Sequence, residues 1–380
     1  MRRPAALCNI HKSRAGVWER VAGLSYATVI WCSTRKKEIV MFRSLQVLSV
    51  GIGLAFAFLL IGCTKDNSVN SPSQTPDEQA LTQQVMTVDS VSDYSSSDET
   101  TIDDNGLRDP DYEGLAKEAN IDLTSRRTVF GDTLYPIRWG RHIRWNAIVR
   151  DYHVVMLGDT GAIVTIVKTI PGEFWIGLGY RAHDTIVIDT IIRKPFTETL
   201  TRKVQFKRIA HTDNPFRNWL PVAITPVHGN TQGTASFTIS SIEVLDTQAG
   251  YDATLTDPEN SWFRLGWRRG TIPIFGVGDS VTVRLTIASS NDSNEVVVLR
   301  HGITGISLTR GRAGMRLVSV TGSSGNYTRV YEKTFRANLP WNIFAARFNL
   351  VVDVTSHSSI FVNEAPYVNE FWGIPYIIAR

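Results

Sequence analysis

The sequence predicts an all-β protein, with two antiparallel β-sandwich modules of immunoglobulin-like layout behind a disordered acidic tether. Three observations carry this reading. First, apolar residues after Leu123 recur with a period of two. Val281, Val283, Leu285 and Ile287 alternate with Thr282, Arg284 and Thr286, which turns one face of a strand to a core and the other to water. Comparable runs occupy residues 163–169, 185–192, 202–209, 237–245, 296–299, 315–320, 327–335 and 346–355. Second, turn chemistry separates them: Gly158-Asp159, His228-Gly229-Asn230, Asn291-Asp292-Ser293-Asn294 and Gly322-Ser323-Ser324-Gly325. Third, no stretch of this part carries a sustained helical period. Many short strands at regular spacing with polar turns point to sandwiches.

The strand-breaking cluster Thr256-Asp257-Pro258-Glu259-Asn260 is the expected domain cut, giving a first module over residues 123–256 and a second, immunoglobulin-like one over residues 257–380. Gly158-Asp159-Thr160 and Gly278-Asp279-Ser280 echo one another ahead of strand pairs, as related units would. At Ser240-Ser241 the apolar phase flips between Ile239 and Ile242, the mark of a bulge.

Residues 63–122 read as the tether. Between Thr64 and Asp122 there are 14 acids against three bases, Lys65, Arg108 and Lys117, in a segment rich in Ser, Thr, Asn and Gln. Such a composition buries too little apolar surface to offset ordering, and self-repulsion extends it. Thr75-Pro76-Asp77-Glu78 forms a capping box with Pro at the first helical position, and residues 113–119 form a short helical run; both helices are expected to be transient. The acidic run Asp103 to Glu113 lacks the ligand order of a calcium loop and is expected to be solvated linker.

Val47 to Cys63 is an uncharged apolar run closing on Leu60-Ile61-Gly62-Cys63, behind Met41 and Arg43. It resembles the signal peptide and lipobox of bacterial lipoproteins. That resemblance implies cleavage before Cys63, a lipid on its thiol and residence in the cell envelope, anchored in the outer membrane. The core of about 14 residues is shorter than the roughly 20 needed to span a bilayer. Residues 41–62 are then signal peptide. Residues 1–40 are expected to be an upstream extension, with translation starting at Met41, because Lys36-Lys37-Glu38 can be encoded by a ribosome-binding sequence.

Processing changes the charge argument. The whole chain carries +4, but the part from Cys63 onward has 31 basic and 34 acidic residues, which removes the case for a nucleic-acid partner. It also leaves Cys63 alone, so no disulfide is expected. Beyond Asp122 the balance reverses to 28 Lys/Arg, 23 of them Arg, against 20 Asp/Glu. Arginine alternates with tryptophan in Arg138-Trp139-Gly140-Arg141-His142-Ile143-Arg144-Trp145 and in Arg264-Leu265-Gly266-Trp267-Arg268-Arg269, and Arg310-Gly311-Arg312 forms a third cluster.

Arginine's planar fork suits phosphate, sulfate and carboxylate, so Trp267, Arg268, Arg269, Arg310 and Arg312 are the candidate ligand-binding residues, for an anionic glycan or an acidic protein. The competing reading is that tryptophan rings fill cores while arginine covers strand faces and pairs with the acidic tether.

Catalytic and metal motifs are missing. The histidines are scattered without ligand spacing, and no nucleophile elbow occurs. Gly177-Leu178-Gly179-Tyr180-Arg181-Ala182 imitates a dinucleotide fingerprint but precedes a β-branched run where a helix is required. His183-Asp184 sits on a strand, where neighbours face opposite ways. Asp184, Glu243 and Glu332 are isolated carboxylates. The expectation is a membrane-anchored, non-enzymatic envelope lipoprotein, without metal or cofactor, that binds glycan or protein. An envelope hydrolase and a structural subunit of an envelope complex are the rivals.

Overall fold

The protein is described by a computed structural model over residues 74–104, 134–182, 185–233, 235–246, 248, 250–266, 270–302 and 311–380. Two helices come first, α1 (Pro76–Thr87) and α2 (Asp89–Ile102). Strands β1 (Tyr135–Ile143), β2 (Val149–Leu157), β3 (Gly161–Ala182) and β4 (Thr185–Arg208) follow. Next are β5 (Trp219–Ile224), β6 (Val227–Thr231), β7 (Phe237–Asp246), β8 (Tyr251–Leu255) and β9 (Phe263–Arg264). Then come β10 (Ile274–Gly276), β11 (Ser280–Ser289), β12 (Val296–His301), β13 (Gly311–Gly314), β14 (Arg316–Ser323) and β15 (Asn326–Arg336). The chain ends with β16 (Ala345–Thr355), the short helix α3 (His357–Phe361) and β17 (Asn369–Ala379).

The all-β, antiparallel expectation holds, with a short parallel contact between β10 and β17 as the exception. The arrangement of the strands differs from a pair of modules cut at residue 256. One sheet follows the path β1-β3-β4-β6-β17-β16-β12-β13, drawing on both sides of that cut, and a second follows β14-β15-β11-β7-β8. Asp257-Pro258-Glu259-Asn260 is instead a tight turn within the fold: the Asp257 carboxylate accepts from the Glu259 and Asn260 amides at 3.0 and 3.2 Å. Turn residues mark chain reversals, and reversals inside a domain look the same in sequence as those between domains. Ser240 is the extra residue of a bulge, because Thr286 pairs with Ser241 and Ile287 with Ile239.

The larger sheet curls until its ends meet. Arg312 on β13 donates to the Trp139 carbonyl on β1 (3.4 Å), and Arg141 on β1 reaches Glu198 on β4 and Asp353 on β16. Alternation then sorts side chains between inside and outside. On β16, Leu350, Val352 and Val354 face outward and join Ile239, Leu285, Ile287 and Tyr331 of the smaller sheet in one sandwich core. Asn349, Val351 and Asp353 face inward. Curvature needs close approach of backbone: a Cβ on Gly229 would lie 2.5 Å from the Phe371 ring and 2.4 Å from the Thr199 carbonyl. Gly229→Ala is therefore expected to destabilise the protein by about 1–3 kcal/mol, read as a lower denaturant midpoint at constant slope.

Residues 74–104 are the main departure from expectation. They are folded helix, with the capping box formed (Glu78 amide to Thr75 Oγ1, 3.3 Å; Thr75 amide to Glu78 Oε2, 2.7 Å). Leu81 and Val85 on α1 and Val91 and Tyr94 on α2 are buried against Val164, Ile166, Val204 and Phe206 inside the curled sheet. Ile102 packs with Ile143, Leu200, Val351 and Phe371 one layer further along. The segment is too polar to fold by itself, and the sheet supplies both the apolar surface and the countercharge. Asp103 and Asp104 follow α2 into the interior, while residues 105–122 lie outside the described residues.

Candidate functional site

The interior of the curled sheet alternates apolar layers with layers of charge. In the first charged layer Arg141 pairs with Glu198 (2.7 Å) and Asp353, and Arg300 pairs with Asp104 and with Asp353 (2.8 Å). Arg312 lies 3.6 Å from Asp104, and Asn369 bonds Asp353. In the second layer Asp98 lies 3.3 Å from Arg202, and Glu99 lies 3.1 Å from Lys168 and 2.7 Å from Arg150. Asn349 donates to Asp98 at 2.7 Å. Three of these anions, Asp98, Glu99 and Asp104, come from the segment read as tether.

The stripe that α2 buries is Val91, Tyr94, Asp98 and Ile102. This is helical spacing with an acid in the middle, a period that a search for apolar residues alone passes over.

Burial alone would raise the Asp104 carboxyl, but Arg300, then Arg312 and Arg141, outweigh it and hold Asp104 well below the ordinary carboxylate range. For Glu198 and Asp98 the order is reversed. Desolvation dominates over Arg141 in one case and over Arg202 and Lys168 in the other, so both carboxyls are pushed up. Apart from the half-exposed Arg150 and the part-buried Arg312, these charged side chains are buried, and each is held by an opposite charge within the layers. They select one docking geometry for α2 rather than add much net stability.

Among the described residues of the arginine clusters, Trp139, Arg141 and Arg312 face the interior, while Trp145 is exposed. In the first cluster Trp139 is core and Arg141 is fully buried in the charged layer. Arg312 turns inward to Asp104 and the Trp139 carbonyl rather than out to a ligand. Trp267, Arg268, Arg269, Arg310, Cys63 and the His183-Asp184 pair lie outside the described residues.

Glu243 and Glu332 are not isolated: they flank Arg284 on the open face of the smaller sheet, at 3.1 and 3.0 Å. Clamped on one guanidinium, they are acceptors and have no acid–base partnership. The register Glu243–Arg284–Glu332 across β7, β11 and β15 made this legible once the strands were paired. The dinucleotide-like glycines lie within β3, opposite β4, with no helix to hold a phosphate. Among the described residues no group of three or more His, Cys, Asp or Glu could hold a metal, and no helix is long and apolar enough to cross a membrane.

The described residues also form a concave site. A cleft of about 470 Å³ opens where β7 and β8 approach β9 and β17, lined by Tyr251, Trp262, Phe263, Leu255 and Ile374, with Thr254, Ser261 and Thr271 contributing hydroxyls. The Asp257 turn positions one wall, because the Ser261 amide donates to the Asp257 carbonyl (3.1 Å) and delivers Trp262 and Phe263 directly after it. Phe263 is fixed by pairing with Ile224. Tyr251 packs edge-on against Phe275 with ring centroids 6.0 Å apart, and burial pushes its phenol up to about 12, so it stays a neutral donor. Among the described residues the lining carries no carboxylate, histidine or cysteine. Aromatic faces with hydroxyls between them suit a ligand that is apolar on its faces and hydroxylated at its edges.

Sequence reading missed this cleft because its residues come from separate segments, around residues 244, 251–255, 261–263, 271 and 374, and the turn that positions Trp262 and Phe263 was read as a domain cut. No family profile matches the chain, and no curated protein matches it.

Proposed function

We propose that the chain is an envelope lipoprotein, held by a lipid on Cys63, whose folded part is a non-enzymatic module binding a glycan. The aromatic cleft of Tyr251, Trp262 and Phe263 carries the reading. It favours a neutral sugar over an anionic one, since arginines 141, 300 and 312 are engaged inside the protein. A hydrolase would need carboxylates facing the bond to be cut, and the described residues of the cleft lining supply none. We propose further that the smaller sheet with β12, β16 and β17 is the immunoglobulin-like unit, its loops presenting the cleft.

The test is a glycan array probed with the full chain and with Trp262→Ala. An aromatic stacking contact is worth about 1–1.5 kcal/mol, so roughly a tenfold loss of affinity is expected. Equal retention by both chains removes the cleft from the proposal. A second reading, a structural subunit, is favoured by β2, an outer strand paired with β3 whose Val149, Val155 and Leu157 are exposed. Light scattering that shows self-association lost in Val155→Lys would support it.

A further inference from the structure

The connection between β15 and β16, Ala337-Asn338-Leu339-Pro340-Trp341-Asn342-Ile343-Phe344, presents two aromatic side chains to solvent. Trp341 is 89% exposed and Phe344 is 72% exposed, the highest values among the large apolar side chains described. Isolated exposed apolar residues are ordinary, but two large aromatics at one tip are not.

The tip is also held in shape. The Ile343 amide donates to the Pro340 carbonyl (3.0 Å), closing a turn around Trp341. The Arg380 guanidinium donates to the carbonyls of Ile343, Leu339 and Pro340 at 3.1, 3.3 and 3.1 Å, and its amide donates to Phe344 at 3.0 Å. Ala337 and Leu339 are buried and anchor the loop from below. A turn braced at so many points keeps the aromatics displayed instead of letting them fold back.

The surroundings extend the patch. The Gly278 amide bonds the Ala337 carbonyl (2.8 Å) and the Val277 amide bonds Ala379 (3.2 Å), which brings half-exposed Val277 and Ile274 to the same end of the molecule. The cations there are Arg336, whose Nε donates to the Gly278 carbonyl at 3.2 Å, and Arg380. The Asp279 carboxylate at this end accepts from the Gly276 amide (2.5 Å).

We propose that this tip is a membrane-docking wedge, with Trp341 and Phe344 entering the interfacial layer of a bilayer and Arg336 and Arg380 resting at anionic headgroups. Both aromatics stand exposed to solvent, and a bilayer accepts an exposed aromatic without the shape matching that a protein partner needs. Tryptophan favours the headgroup level because its ring is apolar and its N–H is polar, and flanking arginines supply attraction to anionic lipid. The inference does not need the lipid on Cys63. A chain held by that lipid would simply dock in one orientation.

The test reads the position of Trp341 directly. The full chain is labelled with 5-fluorotryptophan, and Trp341→Phe assigns the Trp341 resonance among the ten tryptophans. Vesicles of phosphatidylcholine with about one third phosphatidylglycerol carry a nitroxide-labelled acyl chain. The expected result is that the Trp341 signal broadens at least threefold more than those of buried Trp139 and Trp219, and that Phe344→Ser reduces this while leaving the unfolding midpoint unchanged. Broadening of Trp341 no greater than that of the buried tryptophans overturns the proposal, whether or not the chain floats with the vesicles. Flotation with Trp341 left in water thus separates this inference from the lipid anchor, which would stand. Shielding of Trp341 from a water-soluble relaxation agent in the absence of vesicles also overturns it, and assigns the tip to contact between copies.

Discussion

A chain lacking residues 74–104 is expected not to fold. Those residues supply Asp98, Glu99 and Asp104 to Arg202, Lys168 and Arg300, all of them buried. They also fill the apolar interior with Leu81, Val85, Val91, Tyr94 and Ile102. Removing one partner of a buried pair costs about 3–5 kcal/mol, and total stability is only about 5–15 kcal/mol, so losing several at once exceeds what the fold has. Circular dichroism and amide exchange on such a chain should report loss of sheet and of protection. A synthetic peptide of residues 74–104 added in trans should restore both. A truncated chain with native spectra and cooperative unfolding would show that the helices merely lean on a self-sufficient sheet.

At the level of one side chain, Asp104→Ala is expected to destabilise by about 3–5 kcal/mol, because it leaves Arg300 with Asp353 alone and leaves Arg312 and the Arg141 amide facing a void. Replacing Asp104 with Leu and Arg300 with Met together should cost less than Asp104→Ala, since the uncompensated charge goes with its partner. Urea unfolding of the three chains measures both. A loss below about 1 kcal/mol, the range of an exposed pair, would place Asp104 in water.

The effect has a pH signature. A carboxyl held below its unfolded value contributes stability that is fully present above about pH 4 and drains away as pH falls through the folded value. The difference between wild type and Asp104→Ala should therefore shrink below about pH 4.

The strands were legible because alternation survives wherever one face is wet, as in Val281 to Ile287, whose pairing with β7 and β15 follows that register. Three things were not. The long-range partners of a strand leave no local mark, so a turn at Asp257 inside the fold looked like a domain boundary. A helix whose buried stripe contains Asp98 looks polar by composition, and its stability is written in Lys168 and Arg202, about 70 and 104 residues later. The cleft needs Tyr251, Trp262 and Ile374 at once, and only the packing of two sheets brings them together.

The placement of α2 inside the curled sheet carries a consequence for the order of events in folding. The β3–β4 hairpin pairs residues that are close in sequence and can form early. Helix α2 precedes every described strand in the chain, yet its buried acids have no partners until Lys168 on β3, Arg202 on β4 and Asn349 on β16 are all in place. Such a segment docks late, after loops of more than 200 residues have closed. The slowest step should thus be insertion of an acidic helix into a nearly closed, positively charged lumen. Its rate should rise at low ionic strength, where attraction between the two is least screened.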